Sequence, residues 1–471
     1  MNSKAKKIMK NIKYAVSANF VVLGISVLLN MFVPKILGVT EYSYWQLYVF
    51  YTSYVGFFHL GWLDGIYLKI GGQDYDELNK NKLGNQFWYL FMYEILLTVL
   101  VLVLISLDGN FSNKTLIQLL TIVSSIVINV KSFILFIFQG TNRIKEYANL
   151  SKNDRYLYCI LLVTYLLFGG RSFLVLILFD IISKSVITFW YIYVIKDLIN
   201  VKIQFTKQNI FEVIDNIKVG SNLMISNIAG MLIIGITRLF VEINWDIRTF
   251  GKLSFTLSIS NMFMTFINAV GVVMFPILRR TRQDKLISLF KSLRQVFVVF
   301  SFGLLIFFVP VKIILSNWLP AYSESLNYMG ILFPMVIYEG RMSLLLSTYL
   351  KNFRKERLIL LSNLISLILS VILASIAVFI FNSMIMTVVC IIICIIVRCL
   401  CAEFLLTKYL EVNILKNVFQ ELALTCLFII GNILFSNILS LILYFIFYII
   451  FVFLNRFSLK NSVNYLLREL K

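Results

Sequence analysis

Apolar runs of about twenty residues recur along the whole chain, each closed by a short polar, mostly basic, connection. A helix needs about 20 apolar residues to cross about 30 Å of hydrocarbon. Fourteen segments meet that need: 14–34, 44–68, 84–107, 115–140, 156–169, 173–195, 219–240, 251–277, 287–311, 326–350, 358–381, 384–407, 418–436 and 438–455. The fifth is short, and the last two are joined by almost no loop. The pattern predicts an all-α membrane protein with about 14 transmembrane helices. The first run follows a basic start and is too long for a secretory signal. No small-residue cleavage site follows it, so it reads as an uncleaved span.

Composition strengthens this reading. Of 471 residues, 60% are hydrophobic and 14% charged, against about a quarter charged in soluble domains. A net charge of +20 could point to nucleic acid, but its distribution excludes that partner. With the N-terminus in the cytoplasm, 32 of the 43 Lys and Arg residues fall in cytoplasmic segments and six in outer ones. That is a positive-inside bias. It places both termini in the cytoplasm and membrane lipids around the chain. No loop is long enough for a soluble catalytic domain, so no enzyme is expected. The six cysteines lie in or beside apolar runs without a paired CxxC, and neither metal nor cofactor is expected.

The longest cytoplasmic connection, 196–218, reads as a linker between two six-helix lobes around a central cavity. The expected regions are 1–200, 201–417 and a C-terminal helix pair with tail, 418–471. A weak parallel repeat agrees. Asn19 precedes Lys35 by 16 residues in the first span, and Asn222 precedes Arg238 by 16 in the seventh. Transporters often place substrate between such repeats. Polar positions share helix faces: Asn19, Ser26 and Asn30; Ser125, Asn129, Ser132 and Gln139; Ser254, Ser258, Asn261, Thr265 and Asn268. Asn19, Asn30, Asn222, Ser258, Asn261 and Asn268 are the expected polar lining. Helix packing through small polar residues is the competing explanation.

Ionisable residues inside spans are costly and mark pathways or pairs. Lys131, Lys184, Arg341 and Arg398 lie roughly 14–17 Å from the cytoplasmic end at 1.5 Å per residue, near the midplane. Arg238 and Lys35 lie nearer the outer face. Glu94 could pair with Lys131, and Asp180 with Lys184 at i,i+4. Arg341 and Arg398 have poorer local partners: Glu339 sits at i−2 from Arg341, and Glu403 at i+5 from Arg398. These two are therefore expected to face a cavity. The set suits an anionic substrate, with Arg fitted to phosphate by its planar fork. Asp64, Glu94 and Asp180 are the candidates for ion coupling, with His59 near Asp64.

Five stretches carry a resemblance: Val33-Pro34-Lys35-Ile36-Leu37-Gly38, Glu41 to Tyr48, Leu60-Gly61-Trp62-Leu63-Asp64-Gly65, Phe250-Gly251-Lys252-Leu253-Ser254-Phe255, and Phe275-Pro276-Ile277-Leu278-Arg279-Arg280. They resemble the O-antigen and capsule repeat-unit flippases of the MOP (multidrug/oligosaccharidyl-lipid/polysaccharide) exporter superfamily. Ser43 departs from the Gly that the family often carries there. The resemblance implies a lipid-linked oligosaccharide as substrate, flipped across the bacterial cytoplasmic membrane by alternating access. It implies a polysaccharide polymerase and other assembly proteins as partners. A peptidoglycan-precursor flippase, a multidrug exporter of the same superfamily and a non-transporting scaffold of glycan assembly are the alternatives.

Overall fold

The structure, a computed structural model, describes residues 24–107, 112–280, 283–413 and 415–469; the side chains of 265–280, 283–284, 415–416 and 467–469 are not described. Asn19 and the side chain of Asn268 therefore lie outside the described residues. Helices and turns account for the secondary structure, with no strand among the described residues. The chain divides into two compact units, Met1–Ile228 and Ala229–Lys471.

The first unit opens with α1 (Gly24–Met31) and α2 (Val33–Thr52), bent by 69° at their junction. A 3-10 turn (Val55–His59) leads into α3 (Trp62–Ile70). Then come α4 (Lys80–Leu107), α5 (Asn113–Gly140), α6 (Ile144–Leu167) and α7 (Phe173–Val194). The short α8 (Lys196–Ile199) precedes α9 (Lys207–Asn244), which crosses the unit boundary. Local signals set several ends. Ser112 caps α5 by accepting from the Thr115 amide at 3.2 Å. Gly169, at φ 79°, ends α6 in the left-handed region that favours glycine.

The second expected span, 44–68, is interrupted rather than continuous. Leu60 (φ 53°) and Gly61 (φ 82°) are both left-handed, which no helix accommodates. Irregular backbone at membrane depth survives only where other groups satisfy it. Tyr93 donates to the Phe58 carbonyl at 3.0 Å, Asn129 to the Val55 carbonyl at 3.2 Å, and the Gly61 amide to His59 Nδ1 at 3.1 Å.

Beyond this break α3 crosses the start of α9 backbone to backbone. A Cβ on Gly65 would sit 1.9 Å from the Asn216 carbonyl oxygen, and one on Gly220 would sit 2.0 Å from that of Gly61. Small residues spaced by four permit such an approach. The 196–218 connection is strapped to this unit throughout. Asp197 accepts from Tyr75 at 2.9 Å and pairs with Lys80 at 2.7 Å. Trp88 donates to the Ile199 carbonyl at 3.0 Å, and Asn85 accepts from the Gln204 amide at 2.8 Å. Asp215 pairs with Lys69 at 2.6 Å and Glu212 with Lys82 at 2.7 Å.

The second unit continues α9 and adds α10 (Ile247–Arg280), α11 (Gln283–Leu304) and α12 (Phe308–Trp318). Next are α13 (Ser325–Leu332) and α14 (Met335–Arg341), the latter capped by Pro334. The segment Ser325–Asn352 bends by 40° there, since proline lacks the donor a straight helix needs. A π turn (Met342–Leu346) leads into α15 (Ser347–Asn352). Then follow α16 (Glu356–Ser375), α17 (Met384–Tyr409), α18 (Leu415–Leu434), α19 (Asn437–Leu454) and α20 (Arg456–Glu469). The C-terminal helices pack into this unit. Tyr444 donates to the Phe302 carbonyl at 2.8 Å, Tyr448 to that of Val299 at 3.0 Å, and α20 lies along α11.

Among the described residues nine helices are long and apolar enough to span a membrane, or up to eleven if each bent pair is one span. The fourteen expected segments also include α6 and α10. α6 carries Lys152, Asp154 and Arg155 ahead of its apolar stretch, and the side chains of α10 beyond Met264 are not described. The protein is a multi-pass, all-α membrane protein.

Gly65→Leu should lower the melting temperature of the purified protein by several degrees, because α3 and α9 must separate to admit the side chain. Gly56→Ala, where an added Cβ meets nothing within 4 Å, is the matched control. Equal melting temperatures for both variants would contradict the close crossing.

Candidate functional site

In the first unit four helices bring charges together. Asp180 of α7 is buried, at 3% exposure. It accepts from Tyr48 of α2 at 2.9 Å and from Lys184, one turn along, at 2.5 Å. Arg155 of α6 approaches its other oxygen at 3.7 Å. The neighbouring Asp154 is also buried and holds Lys131 of α5 at 2.6 Å. Three cations thus share two carboxylates, leaving a surplus of one positive charge. Their side chains keep access: 13% for Lys131, 12% for Lys184 and 40% for Arg155.

The expected Asp180–Lys184 pair is present. The expected Glu94–Lys131 pair is not. Glu94 instead accepts from Asn129 at 2.8 Å. Asn129 and Lys131 are two positions apart, roughly 200° around a helix of 3.6 residues per turn. One faces α4 and the broken backbone, the other faces α6. Asn129, fully buried, therefore serves the interrupted span rather than a wet cavity. Asp64 is buried in the first turn of α3, with His59 Nε2 at 3.9 Å, beyond hydrogen-bond reach.

The second unit separates the two arginines that the sequence places at one depth. Arg341 of α14 is 0% exposed. It meets Glu403 of α17 at 2.9 Å and Glu421 of α18 at 2.6 Å. Arg294 of α11 meets the same two carboxylates at 2.6 and 2.9 Å. This closed ring of two arginines and two glutamates is neutral and ties α11, α14, α17 and α18 together. Arg398 of α17 instead meets Glu339 of α14 at 2.8 Å and donates to Asn363 of α16 at 2.9 Å. It keeps 16% of its side-chain surface. A Cβ on Gly230 would lie 3.3 Å from its guanidinium, so this α9 position leaves the arginine room.

Arg341 does not pair with Glu339 nor Arg398 with Glu403, as their spacing along one helix implies, and each arginine meets a carboxylate on another helix instead. Glu339 and Arg341, two residues apart, point to opposite sides, and each finds a carboxylate or guanidinium on another helix. In this conformation Arg341 has no surface to offer a ligand, and only Arg398 of the two retains access.

The remaining expected residues are divided between the units. Arg238 donates to Ser254 at 2.9 Å and lies over the Phe250 ring at 5.3 Å. Lys35 is exposed on α2, and Asn30 accepts from Tyr42 at 3.4 Å. Asn222 and Asn261 are exposed, and Ser258 is half-buried.

Asp154, Arg155, Arg294 and Glu421 were missed by reading them as loop or span-end residues. One signal was available for the first two. The fifth apolar run has 14 residues, roughly 21 Å of helix. Filling about 30 Å draws Asp154 and Arg155 into the layer.

No protein-family model matches the sequence, and comparison with curated proteins gives no match either. Solved structures do match. One is the lipid II flippase MurJ in an inward closed conformation, with TM-score 0.68 and 12% identity, covering 95% of this chain and 99% of that one. Another is an inward-facing multidrug resistance MATE family transporter of the MOP superfamily, with TM-score 0.63 and 10% identity, covering 85% and 99%. A MATE protein in complex with MaD3S gives 0.57 and 12%, covering 86% and 97%. The fold is similar to that of these solved transporter structures. At these identities the likeness concerns fold alone, so the chemistry rests on the side chains described above.

Arg341→Ala should cost about 3–5 kcal/mol, because it strands two buried carboxylates with one cation. Arg398→Ala, at a partly exposed pair, should cost much less. Thermal melts of both variants in one detergent test the order, and a larger loss for Arg398→Ala would contradict it.

Proposed function

We propose that this protein flips undecaprenyl-diphosphate-linked oligosaccharide repeat units from the inner to the outer leaflet of the bacterial cytoplasmic membrane, for surface polysaccharide assembly. The observation that carries this reading is the cationic surplus of Lys131, Arg155 and Lys184 over Asp154 and Asp180. A diphosphate supplies the missing negative charge and several acceptor oxygens. Charge-assisted bonds from lysine and arginine to such oxygens are among the strongest available. The two carboxylates hold the cations in place while no substrate is bound, which limits the cost of burying them.

An exporter of cationic drugs would need the opposite balance. Arg398, with Asn363, is the second candidate contact, on the second unit. We read transport as alternating access of two helical lobes, with both termini in the cytoplasm and a polysaccharide polymerase among the partners. A peptidoglycan-precursor flippase is the second reading. It is favoured by the 95% coverage of this chain in the match to the lipid II flippase structure. Both readings use a lipid-linked diphosphate and differ in the glycan.

Depletion should accumulate lipid-linked oligosaccharide in the inner leaflet and remove surface polysaccharide. Lys131→Gln and Lys184→Gln, at unchanged protein level in the membrane, should each lower export about 10-fold or more, as expected for one charge-assisted hydrogen bond. Intact surface polysaccharide together with new sensitivity to cationic drugs would overturn the proposal. Accumulated peptidoglycan precursor would favour the second reading.

A further inference from the structure

A second feature of the first unit lies apart from the charged cluster. Between α4, α5 and α7 is a cavity of about 300 Å³, at the lower end of the range for small-molecule pockets. Phe87, Trp88 and Phe91 of α4 form one wall and Val127 of α5 another. Ser185, Thr188, Phe189 and Ile192 of α7 form the third. The Trp88 indole N–H is already used by the Ile199 carbonyl. The Thr188 hydroxyl is buried with no hydrogen-bond partner among the described residues. The cavity therefore offers almost nothing to a polar ligand or to a water, which needs two to four polar partners.

Its surroundings indicate what fills it. Phe189 at the lip is 69% exposed, and Trp190 and Tyr193 beside it are 65% and 64% exposed. On a spanning helix that surface faces lipid. α7 ends at Val194, and Lys196 opens α8, whose Ile199 also lines the cavity. Lys196 is exposed and rests over the Tyr193 ring at 4.7 Å. Lys202 follows, also exposed. An apolar slot thus ends at exposed cations on the side that the charge distribution assigns to the cytoplasm. Basic residues at that level attract anionic headgroups.

We propose that this cavity binds one acyl chain of an anionic bilayer phospholipid, with its headgroup at Lys196. The lipid is a resident ligand of the first unit, and the inference does not depend on the flippase reading. It braces α4 against α7 where the two helices leave a gap.

Native mass spectrometry of the protein, extracted from vesicles of equal phosphatidylglycerol and phosphatidylcholine, tests this. Wild type should retain one phosphatidylglycerol per chain. Val127→Trp, which fills the slot from α5, should lower retention at least 10-fold. Ser185→Phe, filling it from α7, should do the same and covers a folding failure of the first variant. Lys196→Gln should keep the lipid but lower the preference for phosphatidylglycerol about fivefold, the contribution of one lysine near a membrane surface. No retained lipid in wild type, unchanged retention in both filled variants, or equal retention of the two lipids would each overturn the proposal. Retention of a prenyl phosphate instead of phospholipid, from native membranes, would overturn it as well.

Discussion

In a hydrocarbon layer an ionisable side chain is costly unless an opposite charge or a hydrogen-bonding group meets it, and that demand organises both units of this chain. Asp180 gathers Tyr48, Lys184 and Arg155 from three helices. Glu403 and Glu421 gather Arg294 and Arg341 from two more. Removing any one member of the second unit's ring leaves a charge uncompensated in low dielectric, a much larger penalty than the pair's own net contribution. The charges therefore specify which helices must be neighbours, a role that apolar contacts between helices and lipid-like side chains fill weakly.

The two units meet this demand differently. In the second unit the ring is complete and neutral, and Arg341 is consumed by it. In the first unit's cluster three cations face two carboxylates, and the cations keep part of their surface. A neutral, sealed ring serves cohesion. An unbalanced, accessible cluster can exchange a carboxylate for an incoming anion. This difference decides which of two similar sets of buried charges is the candidate binding site. Neither charge type nor depth in the membrane makes the distinction.

Backbone polar groups obey the same rule. In the break between α2 and α3 the carbonyls of Val55 and Phe58 receive side-chain donors from Asn129 and Tyr93. The close crossing of α3 with α9 at Gly61, Gly65 and Gly220 follows just beyond. Asn129, part of a polar stripe of α5 in sequence, is in this case a repair to a neighbouring helix.

Much of the fold was legible from the chain alone. Apolar run length is a local property, so the helices at 84–107, 173–195, 384–407 and 438–455 were found within a few residues of α4, α7, α17 and α19. The i,i+4 pair of Asp180 and Lys184 was legible for the same reason, since one helix carries both. Partners on different helices were not. Lys131 chose Asp154 over Glu94, and Arg341 chose Glu403 and Glu421, because helix rotation and neighbour identity are set by packing across the unit. The break at Leu60–Gly61 escaped notice because apolarity continues through it while the backbone turns left-handed. Sequence by itself determined that the chain spans a membrane as a bundle of helices, since hydrophobic length depends on consecutive residues. Only the tertiary structure decided which buried charges are spent on cohesion and which remain in surplus, since neutralisation depends on residues far apart in the chain.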